Sequence, residues 1–438
     1  MNNEKKIALI SLGCPKNLVN SEEMLALLDG AGYALCGDPN EADAVIINTC
    51  GFIGDAKEEA ISTILECAAI KEERPELKII VTGCLSQRYR REMRTEMPEV
   101  DAILGTANYQ DIVSAVESTL QGEQVELFTP LNRAVPELPR LVSTAPRWAY
   151  FRIAEGCDNH CAFCIIPALR GPYRSRSMES LLDEAKLLAE SGIRELIVVA
   201  QDITRYGEDL FGKPMLAALL KELCKLDFSW IRLHYLYPEV ITDELIDVIA
   251  GEEKIVKYLD IPIQHINDEI LRRMNRHTNS AQIRELFKKL RERIPGLVLR
   301  TSLIAGLPGE GKAEFEELCE FLREARIERA GIFPYSPEEG TPAAKMEDRC
   351  DEDEARRRAD LVMELQAEVM DTWYESFIGK EIDVFVQGYE DMLLWGRSYA
   401  DSPDIDGRVL FGGWAEPGEI VKVHITAVDN GEWIGQQV

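Results

Sequence analysis

Three short apolar runs at residues 6–11, 44–48 and 78–82 alternate with helix-periodic stretches at 18–30, 55–70 and 87–96. Continuous apolar runs of this length, bounded by turn residues, are strands buried on both faces, and such strands belong to parallel sheets. Strict strand–helix alternation leaves few topologies open, because each crossover is right-handed and returns the next strand parallel to the last. An open parallel α/β sheet is expected over residues 1–125. The alternation resumes with candidate strands at 149–154, 195–200, 230–235, 258–261, 298–304 and 330–335. Six βα units make three-quarters of an eight-fold barrel, so a central open six-fold βα barrel is predicted. Between the two lies a proline-rich, aperiodic stretch, 121–147, that reads as a linker. Residues 351–377 read as a long polar amphipathic helix. Short runs at 381–386, 393–397, 408–411, 420–428 and 433–438, with Gly and Asp turns between them, suit a small C-terminal antiparallel β-barrel. The fold class is α/β, in three domains: 1–125, 143–372 and 375–438.

The central segment carries Cys157, Cys161 and Cys164 in the spacing CxxxCxxC. A cubic 4Fe–4S cluster is normally held by four cysteines. Three thiolates on one loop leave an iron with an open position, where a substrate or cosubstrate can bind. The spacing resembles that of the radical S-adenosylmethionine (SAM) enzymes. In that superfamily the open iron chelates the amino and carboxylate groups of SAM, and one electron from the cluster releases a 5′-deoxyadenosyl radical. The competing reading is a zinc knot. Structural zinc takes four ligands, and the nearby candidate His160 is awkwardly placed beside Cys161.

A second set, Cys14, Cys50 and Cys84, is dispersed, with gaps of 36 and 34 residues. Each gap is about one βα unit, and each cysteine lies just past a predicted strand. Parallel strands end on one edge of their sheet, and ligands bind in the crevice there. The three thiolates are therefore expected to converge as ligands of another cluster, with Gly13, Gly51 and Gly83 letting the backbone pass close to it. Three ordinary buried cysteines are the alternative on spacing alone. Cys36, Cys67, Cys224, Cys319 and Cys350 have no such placement and are assigned to structure.

Eleven cysteines, an odd number in a long chain, point to the reducing cytoplasm and to metal-bound or catalytic thiols. Lys5-Lys6, a short apolar run and Cys14 mimic a lipoprotein signal. That run, 7–12, is short for a signal core, and Pro15 follows Cys14. No stretch approaches the ~18 apolar residues of a membrane span.

Together these features resemble the methylthiotransferases of the radical-SAM superfamily, over almost the whole chain. Ser11-Leu12-Gly13-Cys14-Pro15-Lys16-Asn17, Asn48-Thr49-Cys50-Gly51-Phe52-Ile53 and Val81-Thr82-Gly83-Cys84 match the family's N-terminal motifs. Arg170-Gly171, Arg174-Ser175-Arg176 and Pro308-Gly309-Glu310 match later ones. The small barrel stands where the family has its TRAM domain, which usually binds the macromolecular substrate. Val199-Ala200-Gln201-Asp202 and Tyr335-Ser336-Pro337-Glu338-Glu339-Gly340-Thr341 are similar to the branch that methylthiolates an aspartate β-carbon in the twelfth small-subunit ribosomal protein. The chain departs from the family at Ile266-Asn267, Leu307 and Gly311, none of them ligand positions.

The resemblance implies two 4Fe–4S clusters, one on Cys14, Cys50 and Cys84 and one on Cys157, Cys161 and Cys164, with SAM bound at the second. It implies a radical made from SAM that takes hydrogen from the aspartate carbon, a sulfur delivered from the first cluster, and a methyl group from a second SAM. Gln201 and Asp202, ending the second barrel strand, and Arg300, on the fifth, are the expected SAM contacts. Arg174 and Arg176 read either as neutralising cluster or SAM charge or as a solvated basic run. His234 and His265 read as structural.

Charge separates the protein-modifying branch from its tRNA-modifying relatives. The chain has 49 basic and 77 acidic residues, a net of −28. Residues 376–438 carry four basic residues (Lys380, Arg397, Arg408, Lys422) and eleven acidic ones, 4 − 11 = −7. A tRNA-gripping domain is basic; an acidic one complements a basic ribosomal protein. The expected partner is that protein, with no membrane and no tRNA substrate. A non-enzymatic iron–sulfur carrier is the remaining rival; such proteins usually close their clusters with four cysteines.

Overall fold

A computed structural model describes residues 5–144 and 147–438. Residues 1–4, the start of the expected first domain, and residues 145–146 of the expected linker lie outside the described residues. The chain divides into two compact units. One comprises Met1–Ser143, Arg152–Arg176 and Glu338–Ala344; the other comprises Thr144–Phe151, Ser177–Pro337 and Lys345–Val438.

The first unit is built on a six-stranded parallel sheet. Its strands are β1 (Lys6–Ser11), β2 (Ala34–Cys36), β3 (Ala44–Thr49), β4 (Lys78–Gly83), β5 (Ala102–Leu104) and β6 (Val125–Leu127), in the order β2-β1-β3-β4-β5-β6. Successive residues of β3 and β4 serve opposite faces. Val45, Ile47, Ile79 and Val81 pack with Ile64 and Cys67 on one side. Ile46 and Ile80 pack with Met24, Leu28 and Val116 on the other. Helices on both faces explain why these strands read as unbroken apolar runs. Three-residue strands β2, β5 and β6 carry too little pattern to be found by periodicity. The last of them corrects the linker expectation, since Val125–Leu127 pairs in register with Ala102–Leu104. The helix expected at 18–30 starts earlier, at Pro15, with proline in its first turn and Cys14 as N-cap.

The second unit holds a second six-stranded sheet. After β7 (Trp148–Arg152) the chain forms a two-stranded ribbon, β8 (Ala154–Glu155) with β9 (Arg174–Ser175), which lies in the first unit. It then continues through β10 (Glu195–Val199), β11 (Trp230–Leu233), β12 (Ile255–Asp260), β13 (Val298–Ala305) and β14 (Arg329–Pro334). The order β7-β10-β11-β12-β13-β14 is sequential, as βα repeats require. Helix Glu352–Glu375, N-capped by Asp351, lays Ala355, Ala359, Val362 and Gln366 inward and packs on β14.

The C-terminal strands β15 (Glu381–Glu390), β16 (Leu393–Ser398), β17 (Val409–Gly412), β18 (Ile420–Asp429) and β19 (Glu432–Gln437) form a closed barrel, β15-β16-β17-β19-β18. Closure leaves no free edge. The pairing is antiparallel except between β17 and β19, which run parallel. The barrel is not a tethered appendage. Phe385, Val409, Phe411 and Trp433 share one apolar cluster with Trp230, Val256, Tyr258 and Val298 of the βα sheet. Buried charges join the same elements. Glu195 accepts from Arg232 Nε at 2.8 Å and from Arg397 Nη2 at 2.5 Å. Arg329 pairs with Asp401, and the Tyr258 hydroxyl donates to Asp406 at 2.6 Å. No described helix is long and apolar enough to cross a membrane.

Candidate functional site

β1, β3 and β4 are sheet neighbours, so their C-terminal ends share one edge. Cys14 follows β1 by three residues, Cys50 follows β3 directly, and Cys84 follows β4 directly. The glycines beside them bring the strand ends against one another. Gly13 has φ +85°, and a Cβ there would stand 2.6 Å from Cys50 Cβ. A Cβ on Gly51 would stand 2.8 Å from the Leu85 nitrogen and 2.9 Å from the Cys84 carbonyl carbon, both backbone atoms that cannot swing aside. Gly51→Ala is therefore expected to spread Cys50 from Cys84. The check is iron bound per chain after anaerobic reconstitution, which falls while the far-ultraviolet circular dichroism keeps its shape.

Side-chain amides fix the same edge. Asn17 Nδ2 donates to the carbonyls of Leu12 (3.0 Å) and Thr49 (2.9 Å). Asn48 Nδ2 donates to Asn17 O (2.8 Å) and Ser21 Oγ (2.9 Å). Both asparagines are buried, and each satisfies backbone groups that the strand ends leave over.

The thiols feel each other. Burial, and then the charge of Cys84, pushes the Cys50 thiol up to about 11. Burial also raises Cys84, against the pull of Arg170. Cys14 goes the other way. Burial is again the largest influence, but Lys16, Arg170 and the N–H groups of Asn17 and Lys16 together outweigh it and lower the thiol below 9.0. Cys14 sits at a helix N-terminus, where backbone donors favour an anion.

The CxxxCxxC loop lies in the same compact unit. Cys157 and Cys161 are buried and Cys164 is half-buried. Cys157 N donates to Gly171 O at 3.1 Å, Cys164 N to Cys161 O at 3.0 Å, and Ala343 N to Ala162 O at 2.9 Å. The loop runs into helix Ile166–Arg170, whose Leu169 packs with Ile165 against Cys84. The two cysteine sets therefore meet through Cys84. None of the eleven cysteines is in a disulfide.

In the sequence, Arg174 and Arg176 read either as neutralising cluster or SAM charge or as a solvated basic run; the role of a further arginine, Arg170, went unnoticed. Arg174 donates to the carbonyls of Leu131 and Arg170, and Arg176 to that of Arg152. Arg170 is buried, with its positive charge beside Cys14 and Cys84. The only sequence signal was its place in the Arg-Gly motif.

The other expected site residues lie in the second unit. Gln201 and Asp202 follow β10, and Arg300 is on β13; β11 and β12 stand between them. Asp202 is fully buried; its Oδ1 accepts from Thr204 N at 3.0 Å and from the Thr204 hydroxyl, and Oδ2 pairs with Arg205 at 3.3 Å. Arg300 donates to Asp260 at 2.8 Å. His234 meets Ser402 Oγ at 3.0 Å, and His265 sits between Asn267 N and Glu310, both in structural settings.

Among the described residues no three His, Cys, Asp or Glu side chains are drawn together around a single metal ion. Two sets of three thiols, soft donors suited to iron–sulfur chemistry, instead fit clusters, which bind thiolates at separate irons and need a wider span than one ion does. Gly13 and Gly51, where a Cβ would collide with Cys50 or with the Cys84–Leu85 backbone, let the three strand ends come together at that edge.

Comparison with known proteins follows the same division. Residues 6–105 match the family described as uncharacterized protein family UPF0004, 151–322 the radical SAM superfamily, and 378–438 the TRAM domain. A ribosomal protein uS12 methylthiotransferase RimO of Lachnoclostridium phytofermentans is 48% identical over 436 residues, covering 98% of this chain and 99% of that protein. Its counterpart in Geobacter sulfurreducens is 47% identical over 442 residues, covering 99% of each. Among solved structures, the radical SAM methyltransferase TsrM from Kitasatospora setae, with cobalamin and a [4Fe-4S] cluster bound, aligns with TM-score 0.58 at 14% identity, over 78% of this chain and 74% of that one. The cobalamin-dependent radical enzyme OxsB aligns with TM-score 0.51 at 13% identity, over 84% and 56%. At these identities the two structures speak for the fold alone.

Proposed function

The chain belongs to the RimO family of ribosomal protein uS12 methylthiotransferases, and from that we propose that it adds a methylthio group to the β-carbon of an aspartate in uS12. The observation that carries the reading is the meeting of two three-thiol sets in one compact unit. We assign Cys157, Cys161 and Cys164 to a 4Fe–4S cluster with an iron left open for SAM, and Cys14, Cys50 and Cys84 to a second. An unactivated C–H bond is beyond acid–base groups, so the cofactors carry the hard chemistry. When bound, they supply the electron that cleaves SAM into a hydrogen-abstracting radical, and the sulfur that is transferred.

The chain's own part is position and exclusion of water. Gln201 and Arg300 are assigned to SAM. Asp202, engaged by Thr204 and Arg205, holds the loop that presents Gln201. A reducing compartment, the cytoplasm, suits eleven cysteines without a disulfide.

The small barrel supports a basic protein as substrate. Of its four basic residues, Arg397 is buried against Glu195, Arg408 pairs with Glu390 and Glu432, and Lys422 pairs with Asp383. Little positive charge remains to grip a phosphate backbone. Trp414 and Met392 stand exposed, with the acidic Glu416 and Asp391 close by in the chain, and exposed apolar side chains among carboxylates suit a Lys- and Arg-rich partner. Binding of purified uS12, followed by fluorescence anisotropy, is expected to weaken several-fold between about 50 and about 200 mM salt, because the shortening Debye length screens the carboxylates from the basic partner. Trp414→Ala weakens it further at every salt concentration.

The deciding experiment is anaerobic. Reconstituted protein, SAM, dithionite and sulfide are given uS12 in one tube and unmodified tRNA in another, and both are read by mass spectrometry. A methylthio gain on an aspartate peptide supports the assignment; a gain on adenosine keeps the chemistry and overturns the substrate.

A further inference from the structure

Four buried charges run in alternation through the first unit: Glu23, Arg152, Glu155, Arg170. Arg152 Nη2 donates to both carboxylate oxygens of Glu23 at 2.9 Å, and its Nη1 to Glu155 Oε2 at 3.1 Å. Arg170 Nη1 donates to the same Glu155 oxygen at 3.2 Å and to Asn20 Oδ1 at 3.0 Å, and its Nη2 donates to Asn17 Oδ1. Two carboxylates and two guanidiniums sum to zero, which makes burial of all four tolerable. Arg170 completes that balance, and it is also the member of the ladder that lies next to the thiols. Arg170 places its charge beside Cys84 and Cys14, at the end of the helix whose Leu169 packs on Cys84. Through Asn17 it also braces the Leu12 and Thr49 carbonyls, which flank Cys14 and Cys50. One guanidinium is thus linked to all three cysteines of the sheet edge, by its charge at Cys84 and Cys14 and through Asn17 at Cys14 and Cys50.

Taking Cys14, Cys50 and Cys84 as cluster ligands, as proposed above, we infer that Arg170 is a positioning residue that sets the reduction potential of that cluster, with Glu155 and Arg152 fixing its orientation. Hydrogen bonds to the sulfurs and local net charge are among the levers that tune such potentials. Three thiolates on a 4Fe–4S core make an anion, and adding one electron makes it more negative. A fixed cation at Cys84 favours the reduced form and raises the potential. Arg170 ends the helix that follows the CxxxCxxC loop, so the residue that tunes one cluster is supplied by the loop of the other.

The test uses the full-length chain carrying C157A, C161A and C164A, so that iron loads at the sheet edge alone. Iron content is measured, and the cluster is titrated with dithionite under electron paramagnetic resonance. In this background R170Q is expected to titrate at a more negative potential, and R170K to stay nearer the parent. R170Q leaves Glu155 with one partner fewer, so E155Q/R170Q, which keeps the network neutral, is the control and also titrates low. A parent that binds no iron sinks the ligand assignment itself. A parent that binds iron, with R170Q titrating at the parent's potential, sinks the role of Arg170 alone. Should R170Q load no iron, iron in E155Q/R170Q at a lowered potential, or in R170K but neither glutamine variant, supports the inference. Iron at the parent's potential in the double variant, or none in R170K, overturns it.

Discussion

Cys50→Ala is expected to leave reductive SAM cleavage running and to stop methylthio transfer, whereas Cys157→Ala is expected to stop both. The two thiols sit in one compact unit but in different supports. Cys157 is held by its N–H bond to Gly171 O, and its loop by Ala343 N to Ala162 O; neither bond involves β3. Removing the Cys50 sulfur therefore leaves the CxxxCxxC loop its own hydrogen bonds. At the sheet edge it takes away one of three thiolates. Loss of a mere outer-shell partner costs metal sites roughly 10–100-fold, so loss of a ligand is expected to lower product by more than about 100-fold. Liquid chromatography of 5′-deoxyadenosine reports cleavage, and peptide mass reports transfer. If the Cys50 variant makes product at the wild-type rate, sulfur does not come from that edge and the two-cluster assignment fails. If it loses cleavage as well, the sets are coupled more tightly than their supports suggest, most directly through Cys84 and its contact with Ile165 and Leu169.

What the chain discloses before folding depends on how far apart the interacting groups are. β3 and β4 are buried on both faces and wrote themselves as unbroken apolar runs, and Cys50 and Cys84 follow them at once. From strand direction alone the edge shared by three distant cysteines follows. β2, β5 and β6 are three residues each, below the length at which a period can be counted, and β6 hid in a stretch rich in proline. The buried ladder from Glu23 to Arg170 was invisible for another reason. Its members are spread over 148 positions (170 − 23 + 1), and a charged residue in a sequence reads as solvated unless its partner is known. Arg174 and Arg176 drew attention by density of charge; Arg176 is buried as deeply as Arg170, and what sets Arg170 apart is that its charge lies beside the thiols. The same blindness applied to Arg397. Counting it among the basic residues of the small barrel was correct as arithmetic, yet its charge never reaches the surface.

That buried charge leads to the second large effect, on stability. Glu195 is fully buried. Burial pushes its carboxyl up, but Arg397 and Arg232 together hold it below the ordinary 4.5. Arg232 also donates to Tyr399 O at 2.8 Å and to Ser398 O at 3.3 Å, so the three side chains pin β16 of the barrel to β10 and β11. Breaking a buried pair by removing one partner costs about 3–5 kcal/mol, because the other charge is left uncompensated. Arg397→Ala is expected to lie in that range in urea unfolding at pH 7, partly eased by Arg232, and Glu195→Ala higher, since it strands two guanidiniums. The double variant Glu195→Ala/Arg397→Ala closes a double-mutant cycle that gives the coupling of the pair with Arg232 left in place. The pH dependence has a definite sign. A carboxyl depressed in the folded state stabilises above its unfolded value and ceases to do so as pH falls through its folded value. The penalty of Arg397→Ala is therefore full at pH 7 and shrinks once the pH drops below about 4.5. Because the barrel shares its core with the βα sheet, the lost pair loosens the barrel against β10 and β11 without touching a thiol. In the same variant the KM for uS12 rises while SAM cleavage without substrate stays at its wild-type rate. An Arg397→Ala protein as stable as wild type at pH 7 would mean that the apolar cluster alone holds the barrel in place.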